Sequence, residues 1–454
     1  MYKMKISNRE KIMLAIYVVS FVIIALTVAV LQPHDINPPV FSNPPDETGR
    51  FLVPKFIFEH GTLPTGLEDE TKIPFYGDTS YASLPGLSYI IMGHLMRIVR
   101  TVFSDISEFG LIVCARCVNV LCGAVTAFFI WLLGRRIFDK ECYVWLFSIA
   151  TTFLPQHLFI HTYVNTESMC MLSIAIILHS LVRMRQDDVS YLNAVEFAIG
   201  ASILTLSYYN AYGILLFSIP IFIRFFIRDG KDKGGSFDLK GMLRYGGVII
   251  LIWIVFCLWW FIREGIVLDG DFLGMAHRDQ AQRGVGIIPL KDKGVSFMQM
   301  MTGYRPFFNS KVSFIAAYGS MTILANIWVY RLYELFFIAG FLLIIPVAVH
   351  EVRAYKDKDP EHKLFFHIML LLADATTVSL WLTYCYCSDF QAQGRYVFPL
   401  LFHFYWIVIK GYEWGLERLP SKLRTGTCIA LCSAIIIVLI SYVYGVAVPV
   451  YIGS

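Results

Sequence analysis

Residues 84–103 read LPGLSYIIMGHLMRIVRTVF, and the way this stretch meets a membrane decides the topology of the whole chain. It is long and apolar enough to cross a bilayer. Yet His94, Arg97 and Arg100 recur at three-residue spacing along one side of an otherwise apolar surface, the pattern of a helix lying in the interface plane. The basic loops decide between the two. If 84–103 lies on the membrane, one side receives Lys3, Lys5, Arg9 and Lys11 together with the loops Arg135-Arg136-Lys140, Arg183-Arg185, Arg228 to Arg244, Arg353 to Lys363 and Lys410 to Arg424. The positive-inside rule makes that side cytoplasmic. If 84–103 crosses, these loops turn outward and the basic amino terminus stands alone inside.

Composition points the same way. The chain is 57% hydrophobic and 16% charged, with a mean hydropathy of +0.60, which excludes a soluble globular protein. Ile12 to Leu31 is followed by Gln32 and Pro33 rather than a small-residue cleavage site, so it reads as an uncleaved first helix. Apolar stretches follow at 111–133, 142–160, 164–182, 191–207, 209–227, 243–262, 325–348, 364–384, 396–412 and 426–448. The expected fold is all-α: one polytopic transmembrane helical bundle over 1–454, with about eleven spans. The expected location is the cell membrane, with the amino terminus cytoplasmic and the carboxyl terminus outside. Two long outer loops result, 32–110 (carrying the interfacial helix) and 263–324, with short outer connections at 156–165 and 385–395. Polar chemistry belongs on such loops, held by a rigid frame.

The net charge of +4 is mostly carried by the inner-leaflet loops and implies contact with anionic membrane lipids, with no nucleic acid. Most of the ten cysteines sit inside apolar stretches as small packing residues. Cys385 and Cys387 are too close in sequence for ordinary disulfide geometry.

The first outer loop is the most informative. Asn43-Pro44-Pro45-Asp46-Glu47-Thr48-Gly49-Arg50-Phe51 places two carboxylates and an arginine just past the first helix. The prolines stiffen the approach, and the acids fall where a helix starts, a position that favours anions. The same residues also suit an ordinary solvated helix start. His157 and His161, four apart, would share one helix face, as a metal pair or as polar lining of an outer cavity. No third ligand is placed by the sequence.

The order of features resembles the GT-C superfamily of polyprenyl-phosphate-sugar-dependent glycosyltransferases: an outer Asp46-Glu47 with Arg50, a Leu84-Pro85-initiated interfacial helix, and a helix from Ala115-Arg116 to the basic pair Arg135-Arg136. Within it the chain looks most like a poorly characterised bacterial membrane-protein family with an early Pro44-Pro45-Asp46-Glu47 and a late Gln393-Gly394-Arg395-Tyr396. Leu154-Pro155-Gln156 and Asn165-Thr166-Glu167 match further stations, with Glu167 where relatives often carry Asp.

The resemblance implies an inverting membrane glycosyltransferase. It would move a sugar from a polyprenyl-phosphate donor to a cell-envelope polysaccharide or glycolipid acceptor on the outer face. Asp46 is the candidate base and Glu47 its orienting partner. Arg50, Arg116 and Arg395, with Gln393 and Tyr396, are candidates for the phosphate, since a planar guanidinium binds two oxygens at once. Arg116 and Arg395 could equally snorkel to headgroups or pair with an acid such as Asp389. His157, His161, Asn165, Glu167 and Asp389 are candidate cavity-lining residues. No metal or other cofactor is expected to be required, although some superfamily members use a divalent cation.

The Gly-rich 263–324 loop, with Arg278 among its scattered charges, reads as a mobile cover or a solvated connector. Tyr208-Tyr209 beside Asn210, and Tyr384 with Tyr386, are places where a sugar could stack. The competing classes are a lipid-linked-sugar flippase or transporter and a non-catalytic partner in envelope polysaccharide assembly. The lack of an internal repeat and the placing of acids in loops weigh against a transporter.

Overall fold

The structure, a computed structural model, describes residues 6–34, 43–74, 76–228, 236–355 and 363–453. Lys3 and Lys5, residues 35–42 of the first outer loop, and residues 229–235 and 356–362 of two basic loops lie outside the described residues.

Every apolar stretch of the sequence is helical over most of its length. Among the described residues, seven helices are long and apolar enough to cross a membrane unaided: Asn8–Leu31, Glu108–Ile137, Glu167–Asp187, Leu239–Val267, Ile327–His350, Lys363–Cys387 and Ser421–Gly453. The remaining stretches are shorter or broken. Tyr191–Thr205 and Tyr209–Arg224 are short apolar helices. The 142–160 stretch divides into Glu141–Thr152 and Pro155–Ile160, because proline supplies no N–H and turns the preceding residue away from helix. The 396–412 stretch begins as a tight turn, Gly394–Leu400, containing Pro399, before the helix Leu401–Leu416.

The bundle has two chemically different ends. At one, Ser7 and Glu10 cap the first helix reciprocally. There Arg135 pairs with Glu10, Arg136 with Asp187 at 2.8 Å, and Glu417 with both Lys140 and Arg424. Loops grouped in the sequence only by their basic character therefore converge on one face. Arg116 lies on the same helix as Arg135 but about 30 Å away along its axis at 1.5 Å per residue, close to the thickness of a hydrocarbon core.

Glu167–Asp187 is buried almost all round, between Glu108–Ile137 and Tyr191–Thr205. Leu239–Val267 shows most of its surface outward, as a lipid-facing helix does. Ile327–Tyr355 and Leu401–Leu416 cross closely because Gly411 faces the Gly340 carbonyl, the small-residue contact through which helices associate without a hydrophobic driving force.

Leu87–Val102 packs on Glu47–His60 and Glu108–Ile137 through Tyr89, Met92, Gly93 and Met96. Ile91, Ile98, Val102 and Phe103 remain exposed. Its 16 residues extend about 24 Å.

The 263–324 loop is not one featureless cover. It contains helices Met275–Gly284 and Pro306–Ile315 and a hairpin pairing Ala317–Tyr318 with Ile323–Leu324. Its last part is core: Tyr318 stacks on Phe159 with ring centroids 4.2 Å apart and donates to the Pro155 carbonyl at 2.9 Å. Helices this short carry no readable hydrophobic period, and only the surrounding bundle makes residues 315–318 internal.

Candidate active site

Asp46 precedes the Glu47–His60 helix in a left-handed conformation, φ 59°, which aspartate tolerates better than most residues. It makes no side-chain cap on that helix. Its carboxylate turns instead toward Arg395, whose Nη2 donates to Oδ2 at 2.5 Å, while Arg50 Nη2 lies 3.6 Å from the same oxygen. The Asp46 side chain keeps a third of its surface exposed.

Arg50 and Arg395 are also joined through Glu167, the first residue of the Glu167–Asp187 helix, where the helix dipole favours an anion. Arg50 donates to both Glu167 oxygens, at 2.6 and 3.1 Å. Arg395 Nη1 is 3.8 Å from Glu167 Oε1. Two carboxylates thus balance two nearly inaccessible guanidinium groups, which is what makes burying either arginine tolerable. Arg395 is delivered by Gly394, which sits so close to the Phe314 backbone that a Cβ there would collide, and whose N–H donates to Ser313 Oγ at 2.8 Å. The Arg395 Nε and Nη1 groups have no hydrogen-bond partner within the protein.

Burial alone would raise the Asp46 carboxyl, but Arg395 and Arg50 outweigh it and hold the group down to about 2. The same competition acts on Glu47, which Arg116 holds at about 2 against burial. Here the pair is closed. Arg116 Nε and Nη2 donate to the two Glu47 oxygens at 2.9 and 2.5 Å. Its remaining donors reach the carbonyls of Ala29, Gln32 and Pro33. Glu47 also accepts from the Val164 N–H and bonds His34 Nδ1. Both side chains are wholly inaccessible, and together they tie the end of the first helix to the start of the Glu47–His60 helix.

Beside Asp46 opens a cavity of about 540 Å³. Its charged groups are Asp46, Arg50, Arg278 and Asp279, with the amides of Asn210, Gln282 and Gln391. Rings form much of the remaining wall, among them Tyr81, Tyr89, Tyr208, Tyr384, Tyr396 and Trp381. Asp279 is engaged by Arg283 at 2.8 Å. Arg278 comes from Met275–Gly284 and donates to the Tyr384 hydroxyl at 3.3 Å; among the described residues no carboxylate forms an ion pair with it. A few polar groups converging in a cavity with apolar and aromatic walls is the make-up of a small-molecule site.

Of the residues expected from the sequence, Glu47, Arg116, Glu167 and Arg395 are buried behind this wall rather than part of it, and six more lie apart from it. His157 and His161 face each other, Nε2 to Nε2 at 3.4 Å, with His161 Nδ1 2.6 Å from Ser168 Oγ, in a fully buried setting against Phe21 and Phe402. They are core residues, not cavity lining. Asn165 is also internal: it bonds the Ile160 and Tyr163 carbonyls and caps Ser168 N–H, shaping the turn before Glu167. Asp389 accepts from Gln391 at 2.6 Å and orients that amide, without lining the cavity itself. Gln393 starts the Gly394–Leu400 turn. Tyr208, Tyr209, Asn210 and Tyr384 do line the cavity, whereas Tyr386 packs on Phe297. Arg278 and Trp381 were not singled out by the sequence, because no local pattern distinguishes Arg278 from its charged neighbours or Trp381 from other span residues.

A divalent cation would need donors that the site has committed elsewhere. Asp46 and Glu167 each take contacts from both Arg50 and Arg395. Among the described residues, the one group of three His, Cys, Asp or Glu side chains close enough to share an ion is Glu59, His60 and Glu70, exposed at the far end of the Glu47–His60 helix.

The sequence model of the family described as "Predicted membrane protein (DUF2142)" matches residues 46–403, a span that opens on Asp46 and includes Arg395. No curated protein matches the chain. Among solved structures, the archaeal oligosaccharyltransferase AglB from Archaeoglobus fulgidus, in complex with an inhibitory peptide and a dolichol-phosphate, has a TM-score of 0.53 at 15% identity, covering 98% of this chain and 56% of that one. Its apo form gives 0.54 at 15%, covering 96% and 57%. ArnT from Cupriavidus metallidurans, bound to undecaprenyl phosphate, gives 0.51 at 11%, covering 96% and 74%. The chain spans about half the length of the oligosaccharyltransferase it matches. At these identities the likeness is one of fold: the chain is an all-α, polytopic membrane protein with the GT-C architecture.

Proposed function

Since the chain belongs to the predicted membrane protein family DUF2142, and shares its fold with proteins whose structures hold dolichol-phosphate or undecaprenyl phosphate, we propose that it is a GT-C-type glycosyltransferase. It takes a sugar from a polyprenyl-phosphate carrier and passes it to a cell-envelope polysaccharide or glycolipid. The basic end of the bundle lies in the cytoplasm, the amino terminus with it, and the cavity opens on the outer face. The observation that carries this reading is Asp46, held at an aromatic-walled cavity in contact with the buried Arg395.

In the reaction the acceptor hydroxyl attacks the anomeric carbon from the face opposite the phosphate. The new glycosidic C–O bond forms as the bond from carbon to phosphate oxygen breaks, with inversion. Asp46 takes the hydroxyl proton, a contribution on the order of 10²–10⁴-fold. The phosphate leaves with an added negative charge, met by Arg395, Arg50 and Arg278. Held at about 2 by Arg395 and Arg50, Asp46 is a weak base at rest. As Arg395 turns to the phosphate, that hold relaxes and Asp46 gains basicity where the proton is released. Glu47 and Arg116, closed on each other, fix the start of the helix that carries Arg50 and do not touch substrate.

The test is sugar transfer by the purified protein from a panel of synthetic polyprenyl-phosphate sugars, wild type beside Asp46→Asn, with donor binding followed in both. Binding in both and turnover in wild type alone supports the proposal. Binding without turnover in either favours a flippase or an assembly partner. Turnover that survives Asp46→Asn keeps the enzyme and removes the base.

A further inference from the structure

Asp46 and Glu167 lie far apart in sequence, yet the same two cations bridge them. Arg50 contacts Glu167 at 2.6 Å and Asp46 at 3.6 Å. Arg395 contacts them in the opposite order of closeness, Asp46 at 2.5 Å and Glu167 at 3.8 Å. A pair of carboxylates drawn together by positive charge is what a hard divalent ion creates with oxygen ligands. Here the charge is supplied by side chains, and it is balanced: two guanidinium groups against two carboxylates. Both arginines are pinned by ring faces, Arg50 over Tyr81 at 5.0 Å and Arg395 over Tyr396 at 5.2 Å. An ion entering between the acids would meet two buried cations at close range, and one of them would have to leave.

We propose that Arg50 and Arg395 take the place of a divalent cation in this site, so that donor binding and transfer proceed without a metal ion. The part concerning transfer rests on the glycosyltransferase reading; the part concerning the ion does not. The arginines set the separation of the two acids. Neither Nε nor Nη1 of Arg395 makes a hydrogen bond within the protein, Nη1 standing 3.8 Å from Glu167, and these are the donors that remain for phosphate oxygens. A guanidinium suits this double task because its planar fork presents several donors in fixed directions and stays charged when buried. Removing Arg50 leaves Asp46 and Glu167 under-compensated, and the site then becomes able to take an ion.

The experiment titrates the purified full-length chain with Mn²⁺ and follows the free-ion signal by electron paramagnetic resonance. Wild type, Asp46→Asn, Arg50→Ala and the double variant Arg50→Ala/Asp46→Asn are compared. The comparison with Asp46→Asn subtracts ions held elsewhere, including any at Glu59, His60 and Glu70. Wild type and Asp46→Asn are expected to bind Mn²⁺ identically. Arg50→Ala is expected to bind one further ion, lost again in the double variant. Donor binding and transfer by wild type are expected to stay within about twofold after EDTA treatment. A wild-type ion that Asp46→Asn removes overturns the proposal, and so does a tenfold loss of donor binding on chelation that Mn²⁺ restores. A folded Arg50→Ala that gains no ion overturns it as well. If Arg50→Ala does not fold, the wild type and Asp46→Asn comparison decides alone. Because Mn²⁺ uptake needs no sugar donor, failure of the glycosyltransferase reading appears separately, as absent transfer with the ion result intact.

Discussion

Arg395 Nη2 donates to Asp46 Oδ2 at 2.5 Å across 349 positions of sequence, joining the early Pro-Pro-Asp-Glu segment to the late Gln-Gly-Arg-Tyr segment in one ion pair. Neither segment forms a site alone. The first supplies a carboxylate at a positive-φ corner, and the second supplies a buried cation with unpartnered donors.

Arg395→Gln removes the leading charge that holds the Asp46 carboxyl near 2 against burial. The acid limb of the pH profile of kcat/KM should therefore move upward by a unit or more relative to wild type. kcat/KM itself should fall about 10- to 100-fold, the equivalent of one charge-assisted hydrogen bond. Steady-state kinetics between pH 3 and 8 reads both effects.

Acid should destabilise the fold through two carboxyls. Asp46 and Glu47 are each held at about 2 in the folded chain, below their unfolded values of about 3.9 and 4.3. A depressed carboxyl stabilises the folded state fully above its unfolded pKa, and that stability is lost as pH falls through the folded value. Thermal unfolding in detergent should thus be nearly flat above pH 5 on account of these groups and drop between about pH 4.5 and 2. Glu47→Gln should flatten part of that drop.

Arg116→Ala leaves Glu47 buried without its main partner, a change that typically costs about 3–5 kcal/mol. Melting temperature should fall sharply. Any protein that still folds should keep its KM for donor within a few-fold, since Arg116 spends its donors on Glu47 and three carbonyls.

Arg278→Ala should behave in the opposite way. Its side chain lines the cavity and contacts the Tyr384 hydroxyl, so thermal stability should change little while the donor Kd rises on the order of tenfold. Arg278→Lys should recover part of the affinity, and isothermal titration with the lipid donor gives the comparison.

His161→Ala should lower stability by about 1–3 kcal/mol through loss of the contact with Ser168, with donor Kd and KM unchanged. A change in KM larger than threefold would return His161 to the cavity.

The membrane character and most helices of this chain were legible in its sequence because they depend on local quantities. Burying a hydrocarbon-length run of apolar residues needs no partner to be recognised, and Arg135, Arg136, Lys140 and Arg424, from loops that charge alone had grouped, form their ion pairs at one end of the bundle. Asp46, Arg50 and Arg395 were also readable, as charged residues at the edges of apolar segments. Their division of labour was not. Glu47 is adjacent to Asp46, yet a left-handed residue turns Asp46 toward Arg395 and the cavity while Glu47 closes on Arg116 inside the bundle. His157 and His161 look alike in spacing to a ligand pair, and only the packing of Phe21 and Phe402 around them makes them core. Arg278 joined the site through the fold of a loop without hydrophobic period. The sequence by itself determined an all-helical membrane protein and the short list of charges available to it. The tertiary structure decided which charges neutralise one another and which face the cavity, because a charge inside a membrane protein takes its role from its counter-ion, and here the counter-ions come from distant segments that meet only once the bundle has closed.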